Sequence, residues 1–454
     1  MWERTAAAQA GAVREGRVTA VELVRAHLDR IAEVNPVVNA ITRLTADRAL
    51  ADAAEVDRNP VKGPLAGVPF TVKENIALGG VPTTHGAVRF RDFTAPADAP
   101  PVARLRAVGA IPVGHTNMPT LALAGVHTRS ELFGDTVNPW DPAVTPGGTS
   151  GGDGVAVATG MAALGLGNDS GGSVRIPATF CGVAGLKPTS GRFPADHRLG
   201  PDDPPLGAQL FVVDGPLART AGDLRLAFHA LAGADPRDPR AVPVPPTGEH
   251  VPRRVAVVAD PGGLGVHPDV RRAVEDAAGA LADAGYEVVD ADVPRLDDAL
   301  HAYGHLLMTE FAPSWPVVRT LLGAEGHRYL ELSMAKAAPV DLPEYLRLTG
   351  VHLGVRRAWA EFLARYPLVL APVFTEPAPA PGVELTPEGH DLVSRAMRLC
   401  TATSFAGLPA VAVPTGLAGG VPVGVQLIGR AYREDTCLDA AEVVERVLTP
   451  RTPA

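Results

Sequence analysis

Two glycine- and serine-rich segments hold the densest concentration of reactive groups in the sequence: Pro146-Gly-Gly-Thr-Ser-Gly-Gly-Asp153 and Gly167-Asn-Asp-Ser-Gly-Gly-Ser173. Glycines let a backbone turn several N–H groups toward one point, and a helix starting there adds the positive end of its dipole. The second segment runs into Ser173-Val-Arg-Ile-Pro-Ala-Thr-Phe180, which reads as a short helix. Such a loop suits a developing oxyanion, where one donor is worth about 3–4 kcal/mol in the transition state. It would set the Ser173 hydroxyl beside those donors. A loop of this composition can also merely turn, or bind phosphate. A phosphate loop would close on Lys followed by Ser or Thr, and here no lysine follows until Lys187.

A serine nucleophile needs a base. His85, His115, His127 and His197 sit in no triad context. Lys73 ends Gly67-Val-Pro-Phe-Thr-Val-Lys73, an apolar, β-branched pattern typical of a buried strand. The chain has only four lysines, Lys62, Lys73, Lys187 and Lys336, and otherwise uses arginine. A lysine retained in an apolar stretch therefore calls for a reason. Burial disfavours the ammonium and lowers the pKa from its ordinary ~10.4. From the residues alone, Lys73 is either that base or half of a structural ion pair with Glu74 or another acid.

The elements that must position these groups follow from hydrophobic periodicity. Residues 5–58 read as helical, with a capping box at Thr19-Ala-Val-Glu22, a stop at Pro36 and a second helix over 44–54. A helix over 102–108 precedes a strand at 110–113. Residues 138–154 read as loop, 155–163 as an apolar segment, and 164–166 as the lead into a second loop at 167–172. A β-α-β unit spans 253–295, its helix ended by Gly285. Residues 296–365 read as mostly helical, with Trp315, Tyr329 and Trp359 as packing residues, and strands follow at 368–373, 410–414 and 424–428. This alternation predicts an α/β fold with a mixed sheet covered by helices. It forms a single domain over 1–454, with its motif core at about 60–230 and a helical insertion or cap at about 296–400.

Composition bounds the rest. Hydrophobic residues at 46% and charged residues at 20% fit a folded globular chain, and a net charge of −9 argues against nucleic-acid binding. Cys181, Cys400 and Cys437 are odd in number and widely spaced, which gives neither a disulfide framework nor a zinc site. The start, Met1-Trp2-Glu3-Arg4, lacks the apolar core of a signal peptide, and no apolar run reaches the ~18 residues of a membrane span. The expected location is cytoplasmic.

Taken together, Gly147-Gly-Thr-Ser-Gly-Gly152, Gly167-Asn-Asp-Ser-Gly-Gly-Ser173-Val-Arg175, Phe180-Cys-Gly182 and Gly185-Leu-Lys-Pro-Thr189 resemble the amidase-signature family. Further matches are Gly67–Lys73, Pro82-Thr-Thr84, Thr116-Asn-Met-Pro119, Asn138-Pro-Trp-Asp141, Gly215-Pro-Leu-Ala-Arg-Thr220, Gly407-Leu-Pro-Ala410 and Gly420-Val-Pro-Val-Gly-Val-Gln-Leu-Ile-Gly429. They span essentially the whole chain. The resemblance implies a Ser–cis-Ser–Lys triad, with Ser173 as nucleophile and Lys73 as base. The bridging serine falls at Thr149, a departure that keeps the hydroxyl but adds a methyl group restricting χ1. Ser150 is one residue out of register. Oxyanion donors map to the N–H groups of Ser170, Gly171, Gly172 and Ser173, and Asp169 and Arg175 map to positions that brace the loop. Other departures are His115 for a common Lys, Asp153 for a common Ser or Glu, and Asn168 for a common Ser or Thr. By analogy Met118 lines the acyl side and His85 faces the pocket.

The resemblance implies hydrolysis of a small or medium carboxamide through an acyl-enzyme, without metal or organic cofactor, in a family where homodimers are common. Rival readings are the glutaminase subunit of an amidotransferase, a biosynthetic acyltransferase, and a degenerate member kept for binding. A trypsin-like protease with Ser170 as nucleophile is disfavoured by the α/β pattern and by the lack of a matching histidine and disulfides.

Overall fold

The computed structural model describes residues 1–59, 63–123, 125–199 and 202–448. Its strands, in chain order, are β1 (Ile41–Leu44), β2 (Pro69–Lys73), β3 (Ile111–Thr116), β4 (Arg129–Ser130), β5 (Gly134–Asp135), β6 (Leu164–Asp169) and β7 (Ala184–Lys187). They continue with β8 (Val213–Ala218), β9 (Arg254–Val257), β10 (Glu287–Asp290), β11 (Leu368–Pro372), β12 (Ala410–Ala418) and β13 (Val421–Gly429). All but the β4–β5 hairpin join one eleven-stranded sheet in the order β1-β3-β2-β6-β8-β7-β12-β13-β11-β9-β10. The pairs β2–β3, β2–β6, β9–β10 and β9–β11 are parallel and the others antiparallel. This is the mixed sheet that the sequence predicts.

Helices cover both faces, and the period-2 alternation of each strand decides which side chain meets which layer. In β2, Phe70 and Val72 enter an apolar cluster with Leu224, Phe228 and Leu438. Thr71 and Lys73 therefore face the opposite layer, where the helix Gly151–Ala158 packs. Another apolar cluster joins the helices Leu296–Phe311, Leu342–Arg365 and Arg398–Ala406 around Trp359. Of the three expected packing residues in that region, only Trp359 is fully buried; Trp315 and Tyr329 are half-buried.

The structure corrects several predicted boundaries. Pro36 does not stop its helix, which runs Ala20–Val38. The terminator is Asn39, which adopts a left-handed conformation (φ 47°) and returns its N–H to Asn35 O, as asparagine can at a helix C-terminus. Residues 41–44 are a strand rather than helix, and the next helix is Ala46–Arg58. Residues 167–169, predicted as loop, extend β6, and 151–154 belong to a helix. Cys181, Cys400 and Cys437 are free and buried. Among the described residues, no helix is long and apolar enough to cross a membrane.

Candidate active site

Lys73 is the last residue of β2, and β6 runs parallel beside it with Val72 opposite Leu166. Both strands end at the same edge, so Lys73 meets Asn168, near the end of β6. The carboxyl ends of adjacent parallel strands form the usual crevice of open α/β sheets. A third contributor is the turn before the helix Gly151–Ala158, whose Gly148–Thr149 peptide is cis. This helix sits unusually close to its neighbours. A Cβ on Gly152 would stand 2.6 Å from the backbone N and O of Asn117.

These three elements converge on one amine. Lys73 Nζ lies 2.5 Å from Thr149 Oγ1 and donates to Asn168 Oδ1 at 2.7 Å. Asn168 is itself held, its Nδ2 donating to Asn75 Oδ1 at 3.0 Å. Burial pushes the Lys73 ammonium down to about 7, against the pull of the Asp153, Asp169 and Asp214 carboxylates. Lys73 is fully buried and forms no ion pair among the described residues. Glu74, the alternative partner, instead accepts from Thr84 N (3.0 Å) and Thr42 Oγ1 (3.4 Å), and burial pushes its pKa up to about 7.

Thr149 and Ser173 belong to neighbouring turns, tied by Ser150 N donating to Ser173 O at 3.1 Å. Ser150 Oγ donates to Asn168 O (3.3 Å), so its side chain points away from the amine, as its register suggests. The Ser173 hydroxyl makes no hydrogen bond among the described residues. Catalytic hydrogen bonds are often long in the free enzyme and tighten on substrate binding.

Asp169 braces the 170–173 loop from within. Its carboxylate accepts from Gly172 N (2.8 Å), Val174 N (3.2 Å), Arg175 Nε (3.0 Å) and Arg175 Nη2 (2.9 Å). Burial alone would raise this carboxyl, but the Arg175 guanidinium holds it well below the usual range. One expectation changes: the Gly172 N–H is committed to Asp169 and is not free to meet an oxyanion. Gly172 also needs its glycine, with φ at 128°. The Gly171 and Ser173 N–H groups have no partner among the described residues. From the helical layer, Tyr303 Oη donates to Ser170 O at 3.0 Å and meets Ser170 Oγ at 3.1 Å. Its proton being committed to the carbonyl, the Ser170 hydroxyl is the donor in the second bond.

Of the expected substrate contacts, Met118 is fully buried and His85 half-buried. His85 sits edge-on to Phe90 at 6.2 Å, with burial pushing its pKa down to about 4. Neither bonds to Lys73, Thr149 or the 170–173 loop. Among the described residues, no group of three or more His, Cys, Asp or Glu could hold a metal ion. Asn168 and Asn75 carry the part of the site that sequence reasoning missed. The signal was present, since Asn168 is a polar residue at a departure from the family pattern, ending an apolar segment beside the Lys73 strand.

The family model described as Amidase matches residues 22–438. An indoleacetamide hydrolase of Bradyrhizobium diazoefficiens is 39% identical, over 98% of this chain and 86% of its own. The A subunit of a glutamyl-tRNA(Gln) amidotransferase from Chloroflexus aurantiacus is 33% identical, over 98% of this chain and 96% of its own. Among solved structures, a substrate complex of 6-aminohexanoate cyclic dimer hydrolase superposes with a TM-score of 0.86 at 28% identity. It covers 100% of this chain and 98% of that one.

Proposed function

The chain belongs to the amidase family, hydrolases of amide C–N bonds, and from that premise we propose that it cleaves a small or medium carboxamide through an acyl-enzyme on Ser173. Ser173 Oγ attacks the carbonyl carbon while its proton passes to Thr149 and the Thr149 proton passes to neutral Lys73. The Gly171 and Ser173 N–H groups, with that of Ser170, receive the oxyanion. The relay then returns a proton to the leaving nitrogen, which departs as ammonia or amine. Water next attacks the acyl ester, giving up its proton through the same groups, and Ser173 recovers its hydroxyl as the carboxylic acid leaves.

The observation that carries this reading is the 2.5 Å contact between Thr149 Oγ1 and a fully buried lysine amine. Because the 39% relative is an indoleacetamide hydrolase, a primary arylacetamide is the first substrate class to supply, with indole-3-acetamide as its representative and ammonia as the readout. Turnover by the chain alone separates this reading from that of a glutaminase subunit, which works with a partner. Intact mass and peptide mapping after fluorophosphonate treatment test the nucleophile. A single adduct is expected on Ser173, absent in Ser173→Ala and slowed in Lys73→Ala. Amide turnover that survives Ser173→Ala would overturn the assignment.

A further inference from the structure

Asp153 is a buried acid that the relay above does not use. It lies in the first turn of the helix Gly151–Ala158, four residues beyond Thr149, and is fully buried. Its Oδ1 accepts from Thr71 Oγ1 at 2.8 Å. Thr71 is two residues before Lys73 on β2, so both side chains stand on the same face of the sheet. Asp153 Oδ2 makes no hydrogen bond of normal geometry among the described residues, and neither does Thr116 Oγ1, on the residue paired with Lys73 across β2 and β3, although the Thr116 hydroxyl lies near enough to favour the charged carboxyl. Room for the carboxylate is made by Gly165 of β6, where a Cβ would stand 2.8 Å from Asp153 Cβ. A half-satisfied carboxylate is costly to bury unless a charge faces it.

Resting on the Ser173 reading, we propose that Asp153 is the positioning residue for the proton on Lys73: its carboxylate stabilises the ammonium that forms when Lys73 takes the relayed proton. Asp153 leads the charges acting on Lys73, ahead of Asp169 and Asp214; burial raises its own pKa, opposed by the Thr71 and Thr116 hydroxyls and by the Lys73 charge. The competing groups are otherwise engaged. Asp169 is paired with Arg175, and Asp214 lies 3.0 Å from His197 Nε2. His115, on β3, turns its Nδ1 to Val72 O at 3.1 Å, with burial pushing its pKa down to about 4. Cys181, packed against the same helix at Gly154, is a thiol whose pKa burial pushes up. Of these acids, Asp153 is the one with a fully buried oxygen that makes no hydrogen bond of normal geometry among the described residues.

The test is the rate of fluorophosphonate adduct formation on Ser173 against pH, for the parent and for Asp153→Asn, which keeps the Thr71 bond through its carbonyl oxygen. Loss of the carboxylate leaves the Lys73 ammonium less favoured. The acid limb of the Asp153→Asn profile should move down by about one pH unit, and the plateau rate should fall about tenfold as the base weakens. A purely structural role would lower the rate or the thermal midpoint with the limb in place. A limb that stays, or moves up, in the folded Asp153→Asn protein overturns the inference. Should that protein not fold, Asp153→Ser is judged by the same criterion. Failure of the underlying reading looks different: Ser173→Ala would then keep amide turnover.

Discussion

At the scale of single residues, the site depends on how many partners one amine can have. A neutral lysine has one lone pair and two N–H bonds. Lys73 spends one N–H on Asn168, and in the proposed relay its lone pair takes the proton of the Thr149 hydroxyl beside it. That proposed step asks for an O–H and not for the rest of a serine, so threonine meets the requirement. Thr149→Ser should therefore keep kcat within about tenfold of the parent, whereas Thr149→Val, equally branched but without the hydroxyl, should lose about 10²–10⁴ in kcat; steady-state ammonia release measures both. The sign of the pH dependence follows from the lowered lysine. Below about 7 Lys73 is protonated and the relay has no acceptor, so kcat/KM should rise through that pH and then level. Ser173 stood out in the sequence through the glycines around it, Lys73 as a rare lysine ending an apolar strand, and Thr149 only through the family resemblance. Asn168 was noticed only as a departure, since nothing local to it reveals that a parallel strand will deliver a lysine to its side chain.

At the scale of elements, the close seating of the helix Gly151–Ala158 is what sets Thr149. Gly152 lies against the backbone of Asn117 and of Ala40, neither of which can swing aside as a side chain could. Gly152→Ala should cost about 1–3 kcal/mol of stability and lower kcat through displacement of Thr149; a denaturant titration and a kinetic assay on the same protein read the two effects. The same crowding explains the boundaries that the sequence obscured. In β6 the run Leu-Gly-Leu-Gly-Asn-Asp is poor in strand formers, yet it lies between β2 and β8. A Cβ at Gly167 would stand 2.5 Å from Ser150 Oγ. Glycine there marks close approach by a helix, not a turn, and tertiary pairing overrides the local preference. The strand β1 was missed for a different reason: it is four residues long and lies between two helices at the edge of the sheet.

At the scale of the whole molecule, the Gly/Ser loop is anchored to distant parts of the chain through Arg175. Its guanidinium reaches Asp169, Gln426 Oε1 (2.8 Å), Cys400 O (2.9 Å) and Ser404 Oγ (3.0 Å), and Gln426 in turn donates to Pro372 O at 3.0 Å. Arg175 thus joins β6, β13 and the helix Arg398–Ala406, and Gln426 extends the link to β11. Arg175→Met would leave Asp169 charged, buried and unpaired, and should cost about 3–5 kcal/mol, seen as a lower unfolding midpoint. The alternation of strands and helices made the layered architecture legible, but these links join residues up to 251 positions apart, and no local pattern encodes them. The three buried cysteines give this assembly a built-in clock. Each belongs to a different stretch of chain, and burial pushes each thiol's pKa upward, to about 11 for Cys400. Their alkylation must wait for the protein to open. The order in which the three are modified would therefore record which layer parts first, with no label added to the chain.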